Sequence, residues 1–241
     1  VALIVMKVMN NVLRFPLVLL LACTGLVGCV AQQPLPLYRL DNGVVEIPEQ
    51  QGEAAVLLGP VSLADYLQRD ALLQRLPDGS IAADPQQARW AGSLKEDVDQ
   101  LLLRQLATQL KTQKVEAAPA GEGFAPDVQI ELAITRLDSG PQHPAVLEAQ
   151  WRLIDAQGKR QGSRLVRLQE EHQGSVSDQV QAQSRLLQRL STLLAQAVEP
   201  VLLARKAPKP QAKAPARRNE SDGPRLKAIE PLRTDLEVFR F

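Results

Sequence analysis

The spacing of apolar residues along the chain changes period several times, and each change predicts an element. Leu94, Val98, Leu101, Leu102, Leu106 and Leu110 recur mostly at three and four, which lays one apolar stripe along a helix of about five turns. Ser93 and Glu96 have the form of a capping box, in which the serine accepts from a free first-turn N–H while the glutamate reaches back. From Val128 the period falls to two. Val128, Ile130, Leu132 and Ile134 alternate with Gln129, Glu131 and Thr135, as a strand with one dry and one wet face requires. Leu147, Ala149, Trp151 and Leu153 repeat the pattern, the turn Asp155-Ala156-Gln157-Gly158 comes next, and a third strand is expected around Leu165 to Gln169. These three strands predict an antiparallel meander. Ser177, with Asp178 in the first turn, is expected to open a long helix whose Val180, Leu187, Leu190, Leu194, Ala197 and Val201 face the dry side of the sheet.

Shorter signals lie upstream. Leu37-Tyr38-Arg39-Leu40 reads as a first strand, and Ala54-Ala55-Val56-Leu57-Leu58 as a buried strand stopped by the breaker pair Gly59-Pro60. Leu72 to Leu76, the turn Pro77-Asp78-Gly79-Ser80 and Ile81 predict a hairpin, because Asp-Gly supplies the positive φ of a tight turn. Ala117 to Pro126 is expected to be loop. The order of strands, helix, strands, helix predicts one α+β domain over residues 37–203, an antiparallel or mixed sheet with two long helices packed on one face.

The ends of the chain have a different character. Lys7 and Arg14 precede an apolar run from Phe15 to Val30, the profile of a signal peptide over residues 1–28. The run is shorter than the ~20 residues of a spanning helix. Translation is expected to begin at Met6 or Met9, which places the positive charge near the start. Leu26-Val27-Gly28-Cys29 resembles the lipobox of bacterial lipoproteins: a thiol to receive diacylglycerol, preceded by small residues that admit the signal peptidase. Leu20-Leu21-Ala22-Cys23 competes less well, being farther from the polar boundary. Cys23 and Cys29 are the only cysteines, so cleavage before Cys29 leaves no disulfide and no CxxC pair. Two or three acyl chains, at ~0.8 kcal/mol per buried methylene, hold a protein firmly. Val30 stands where an aspartate would favour inner-membrane retention, so Cys29 predicts lipid anchoring in the outer membrane, facing the periplasm. Residues 29–36 form a tether.

Acidic residues outnumber basic ones from Cys29 to Ala204, and the balance reverses from Arg205 to Phe241. Arg205 to Pro224 is rich in Pro, Ala, Lys and Arg, so residues 204–241 are expected to be a basic, disordered tail with a short apolar helix starting near Pro231. Such a tail suits an anionic surface or a solvated linker. The periplasmic address argues against nucleic acid. No cofactor or metal is expected: His143 and His172 are the only histidines, and neither has neighbours at ligand spacing. Gly174-Ser175-Val176-Ser177 lacks the nucleophile elbow of hydrolases, and no phosphate-binding glycine loop is present.

Three stretches carry a resemblance. They are Gly59-Pro60-Val61-Ser62-Leu63-Ala64-Asp65-Tyr66-Leu67-Gln68-Arg69; Arg89-Trp90-Ala91 with Leu94; and Ala149-Gln150-Trp151-Arg152-Leu153 with Asp155 and Gly158. With the lipobox, in this order, they resemble the auxiliary lipoproteins of ABC-type envelope transporters, the PqiC/YmbA-type family that accompanies MCE-domain lipid-transfer proteins. The resemblance implies a non-catalytic outer-membrane subunit that docks or steadies an MCE-domain periplasmic protein, with an inner-membrane permease completing the system and a homo-oligomer as a further possibility. The residues alone leave open an envelope hydrolase or cell-wall enzyme, or a structural lipoprotein that tethers or activates wall machinery.

Tyr66, Arg69, Arg89 and Trp90 are the candidate partner-binding residues. Aromatics anchor interfaces, but Tyr66 and Trp90 serve equally as core, and Arg69 and Arg89 equally as internal partners of acids such as Asp65. Trp151, on an apolar strand face, is expected in the core. A chain carrying Cys29→Ala should take up no labelled palmitate and keep its leader, whereas Cys23→Ala should be processed normally; gel mobility and labelling report both.

Overall fold

The computed structural model describes residues 34–41, 43–49, 52–83 and 88–206. Cys29, the leader and the tail with the helix expected near Pro231 lie outside the described residues. In chain order the strands are β1 (Leu37–Tyr38), β2 (Val56–Leu63), β3 (Leu73–Arg75), β4 (Ile81–Ala83), β5 (Arg89–Trp90), β6 (Val115–Ala117), β7 (Val128–Gly140), β8 (His143–Asp155) and β9 (Arg160–Glu170). The helices are α1 (Leu94–Gln109), between β5 and β6, and α2 (Val176–Lys206), after β9. This is an α+β domain built on a mixed sheet.

The meander β7-β8-β9 is antiparallel, with Leu132 opposite Trp151 and Trp151 opposite Arg164. On the other side of β7 the pairing turns parallel. β2 runs beside Val128–Ile134 and carries β6 on its outer edge. The hairpin β3-β4 takes over beside the far end of β7, where Gln74 pairs with Ser139. β1 and β5 form a separate parallel pair.

The periodic segments become the core elements for the reason that predicts them. Ser93 Oγ accepts from the Glu96 N–H at 3.4 Å and caps α1, whose Val98, Leu101, Leu102 and Leu106 are fully buried. The stripe Val180, Leu187, Leu190 and Leu194 of α2 is buried too. The two helices touch each other and lie on one face of the sheet, over Val128, Ile130, Leu132 and Ile134. Trp151 is in the core.

Several boundaries differ from the expectation. Gly59-Pro60 does not end the second strand: β2 continues to Leu63 through an irregularity between Leu58 and Val61, with a cis Gly59–Pro60 peptide and Gly59 at φ 114°. Glycine meets that φ without a Cβ penalty, so the ladder resumes on the far side. Val115–Ala117 is a strand rather than the approach to a loop, because Val56 and Leu58 offer it a parallel partner. The long helix opens one residue earlier than Ser177. Ser175 Oγ accepts from the Asp178 N–H at 3.2 Å, so Ser175 is the cap and Val176 the first helical residue.

β3 approaches β7 so closely that a Cβ on Gly140 would stand 1.9 Å from the Arg75 carbonyl oxygen, while one on Gly92 would meet nothing. Gly140→Ala should therefore cost about 2–3 kcal/mol, the range of overpacked sites, and Gly92→Ala less than about 0.5 kcal/mol. Urea unfolding of both variants checks the contrast.

Candidate functional site

The site grows from an inserted residue in β7. Ile134 pairs with Ala149 and Arg136 with Glu148, leaving Thr135 unmatched. A bulge of this kind reverses which side chains face which side of the sheet. Leu137 and Ser139 now point to the helices, Ser139 Oγ bonding Gln179 and Gln183 of α2 at 3.2 and 2.9 Å. Arg136 and Asp138 are thrown to the opposite face.

There Asp138, its side chain fully shielded from solvent, collects three partners. Arg75 of β3 donates from Nε and Nη2 at 2.9 and 2.8 Å. Arg136 donates from Nε and Nη2 at 3.1 Å each to Oδ1. Tyr66, on a 3-10 turn over Asp65–Leu67, donates its hydroxyl to Oδ2 at 3.2 Å. Burial pushes the Asp138 carboxyl up, but hydrogen bonds and charge from Arg75 and Arg136 outweigh it and hold the group below the usual aspartate range. Burial, and then the charge of Asp138, pushes the Tyr66 phenol up to about 12. The arrangement locks Tyr66 as a neutral donor and leaves the carboxylate saturated with donors, so it suits positioning rather than proton transfer.

The structure brings the four candidate residues to one end of the domain. The Trp90 N–H bonds the Asp70 carbonyl at 2.8 Å and the Leu72 N–H bonds that of Ala88 at 3.2 Å, joining the segment after Tyr66 to the one carrying Arg89 and Trp90. Arg69 and Arg89 are exposed, and Tyr66 is half-buried. Trp90 is 6% exposed and packs in the core. At the same end the chain enters the domain: Leu37 pairs with Arg89 and Tyr38 with Trp90. The next residues are fastened to both helices, Arg39 to the buried Asp97 of α1 at 2.6 Å and the Asp41 N–H to Ser184 of α2 at 2.9 Å.

Sequence reasoning missed Asp138, Arg75 and Arg136, and it missed Asp97 with Arg39. Asp138 and Arg75 lie 63 positions apart, beyond any local spacing rule. The available signal is Arg136 and Asp138 themselves, two charged residues at positions that would continue the apolar alternation of β7.

Other chemistry is sparse among the described residues. His172 bonds the His143 carbonyl at 2.9 Å and accepts from the Gly174 N–H at 3.0 Å, and no group of three metal-ligating side chains occurs among those residues. No helix among them is long and apolar enough to cross a membrane. At the opposite end of α1, a groove of about 450 Å³ is lined by Ala54, Leu110, Lys111, Glu199, Leu202 and Leu203.

A model of the family described as ABC-type transport auxiliary lipoprotein component matches residues 38–195. No curated protein matches the chain. Among solved structures, an uncharacterized protein aligns with TM-score 0.57 at 17% identity, over 69% of this chain and 99% of its own. Protein XCC0632 from Xanthomonas campestris, of the DUF330 family, aligns with TM-score 0.55 at 14% identity, over 70% of this chain and 99% of its own. Both show a shared fold. A PelC dodecamer from Paraburkholderia phytofirmans aligns at TM-score 0.35 and 16% identity, over 63% of this chain and 93% of its own, too loose a likeness to carry an argument.

Asp138→Ala should destabilise the domain by about 3 kcal/mol, the lower end for breaking a buried pair because Arg75 and Arg136 stay 21% and 23% exposed. Because the native carboxyl is held low, its contribution is complete above the ordinary aspartate value of about 3.9 and is lost as pH falls through the lower native value. Urea titrations at neutral pH and below pH ~3.9 should show wild type losing this increment and Asp138→Ala lacking it.

Proposed function

Because the chain belongs to the family of ABC-type transport auxiliary lipoprotein components, we propose that it is the non-catalytic, outer-membrane subunit of an intermembrane lipid transport system. In this reading Cys29 carries the acyl anchor, the domain faces the periplasm, and it docks or steadies an MCE-domain protein whose inner-membrane permease completes the path.

The observation that carries the proposal is the meeting of the tether with the candidate residues. Leu37–Tyr38 pairs with Arg89–Trp90, beside the turn that bears Tyr66 and Arg69. A tether from Cys29 to Pro36 reaches at most roughly 30 Å when extended at ~3.3–3.6 Å per residue. The end bearing Arg69 and Arg89 is then held close to the inner surface of the outer membrane. A partner that contacts it must have crossed the periplasm, as the far end of a spanning transport assembly does. The exposed Arg69 favours an acidic rim on that partner, and Asp138 holds the Tyr66 turn in place nearby.

A tagged full-length chain extracted from native envelopes should bring down an MCE-domain protein, identified by mass spectrometry. Arg69→Glu should lower its recovery about tenfold, the effect of ~1.4 kcal/mol, and Cys29→Ala should abolish envelope retention. Recovery of wall enzymes alone, or of nothing specific, would end the transport reading.

A further inference from the structure

The groove of about 450 Å³ opens where the core stops, between the last turns of the two helices. Leu106 of α1 and Val198 of α2 are fully buried. One turn further on, Leu110 and Leu202 are only partly buried and pack against the core from outside, and Leu203 is 67% exposed. All three leucines line the groove, so this end of the domain offers apolar surface for another element to cover.

The charge at the groove is one-sided. Glu53 and Glu199 line it against one cation, Lys111, and the last turn of α1 carries no basic residue. Arg205 of α2 is engaged outside the groove, with Asp127. Two helix C-termini add partial negative charge to the same end.

The chain also leaves the domain here. α2 ends at Lys206, within one turn of Leu203, and residues 207–241 follow it in the sequence. Among these, Leu232, Leu236 and Phe239 stand at i, i+4 and i+7, the anchor spacing of a helix that lies in an apolar groove. Leu226 and Ile229 precede them at intervals of three, and Arg233 and Arg240, seven apart, flank the stripe on one side. The basic, Pro- and Ala-rich stretch between Lys206 and Leu226 reaches roughly 60 Å when extended at ~3.1 Å per residue, ample for the chain to fold back. The α2 side of the groove and this segment both lie beyond residue 195, where the family match ends.

We propose that residues 226–239 fold back as a helix and dock in the groove between the ends of α1 and α2, setting Leu232, Leu236 and Phe239 on Leu110, Leu202 and Leu203. Arg233 and Arg240 then face the acidic lining, and the basic stretch before Leu226 is closed into a loop. A segment attached this near has an effective concentration on the order of 1 mM, so an intrinsic Kd of about 100 μM keeps the groove roughly nine-tenths filled. A second copy or a separate protein at about 1 μM competes at a disadvantage of roughly a thousandfold. The inference is independent of the transport reading, since it needs neither the anchor nor a partner.

Hydrogen exchange of the full-length protein in phospholipid nanodiscs, read by mass spectrometry, tests it. Amides of residues 232–239 should exchange roughly tenfold more slowly than those of an unstructured chain, and equally at low and high protein concentration. Leu203→Asp, at an exposed groove position, and Leu236→Asp, on the segment, should each restore free exchange there while protection of β7 and β8 is unchanged. Leu165→Asp, on β9 at a leucine 76% exposed, should leave the segment protected. Free exchange of residues 232–239 in wild type would overturn the proposal. So would protection that survives Leu203→Asp, which assigns the segment to the bilayer or to another surface, or protection lost on dilution, which assigns it to a second copy.

Discussion

β7 runs for thirteen residues, Val128–Gly140, yet it cannot keep one face dry along its whole length, because Thr135 is inserted opposite a single partner and reverses the phase of the residues beyond it. Before the insertion, Val128 to Ile134 lie under the helices. After it, Leu137 and Ser139 take that role, and Arg136 and Asp138 are delivered to the other side. The β3-β4 hairpin and the Tyr66 turn are then needed to shield a carboxylate that would otherwise be stranded at a strand end. One inserted residue thus links the apolar core to the polar cluster and specifies where the connection between β2 and α1 must fold. The close approach of Arg75 to Gly140 is the steric counterpart of the same arrangement.

The parts of this fold visible in the sequence are those in which a repeating interaction writes a repeating pattern. The stripe Leu94–Leu106, the alternation Val128–Ile134 and the stripe Val180–Leu194 are such patterns. Tertiary pairing overrode local signals elsewhere. Gly59-Pro60 reads as a break, but β7 on one side and β6 on the other keep β2 in the ladder. Val115–Ala117 is too short to show a period and becomes a strand only because β2 is there. Of the candidate site, Tyr66, Arg69, Arg89 and Trp90 were legible as unusual residues near turns. Their common location was not, nor was the Asp138 cluster, which assembles from Tyr66, Arg75 and β7 over long sequence distances. Trp90 proved to be a core residue, so its contribution at this end is to hold Arg89 and the entering chain in register.

Membership of the transport auxiliary lipoprotein family gives the domain a transport-associated accessory role. Its most polar buried cluster has all its charges satisfied and serves to fix a turn. Arg69 and Arg89 stand where the chain enters the domain at Leu37, and β9 pairs only with β8 among the described residues.

The attachment of Arg39 and Asp41 to α1 and α2 also determines how the molecule bears a load. A pull on a membrane anchor would first strain the two-residue pairing of β1 with β5, which has little to resist it. The next points in line, the Arg39–Asp97 ion pair and the Asp41–Ser184 hydrogen bond, divide the tension between two helices instead of passing it to the edge of the sheet. Strands loaded from an edge unzip one bond at a time, whereas helices bedded on a core must slide as units. The domain is thus harnessed by its stiffest members.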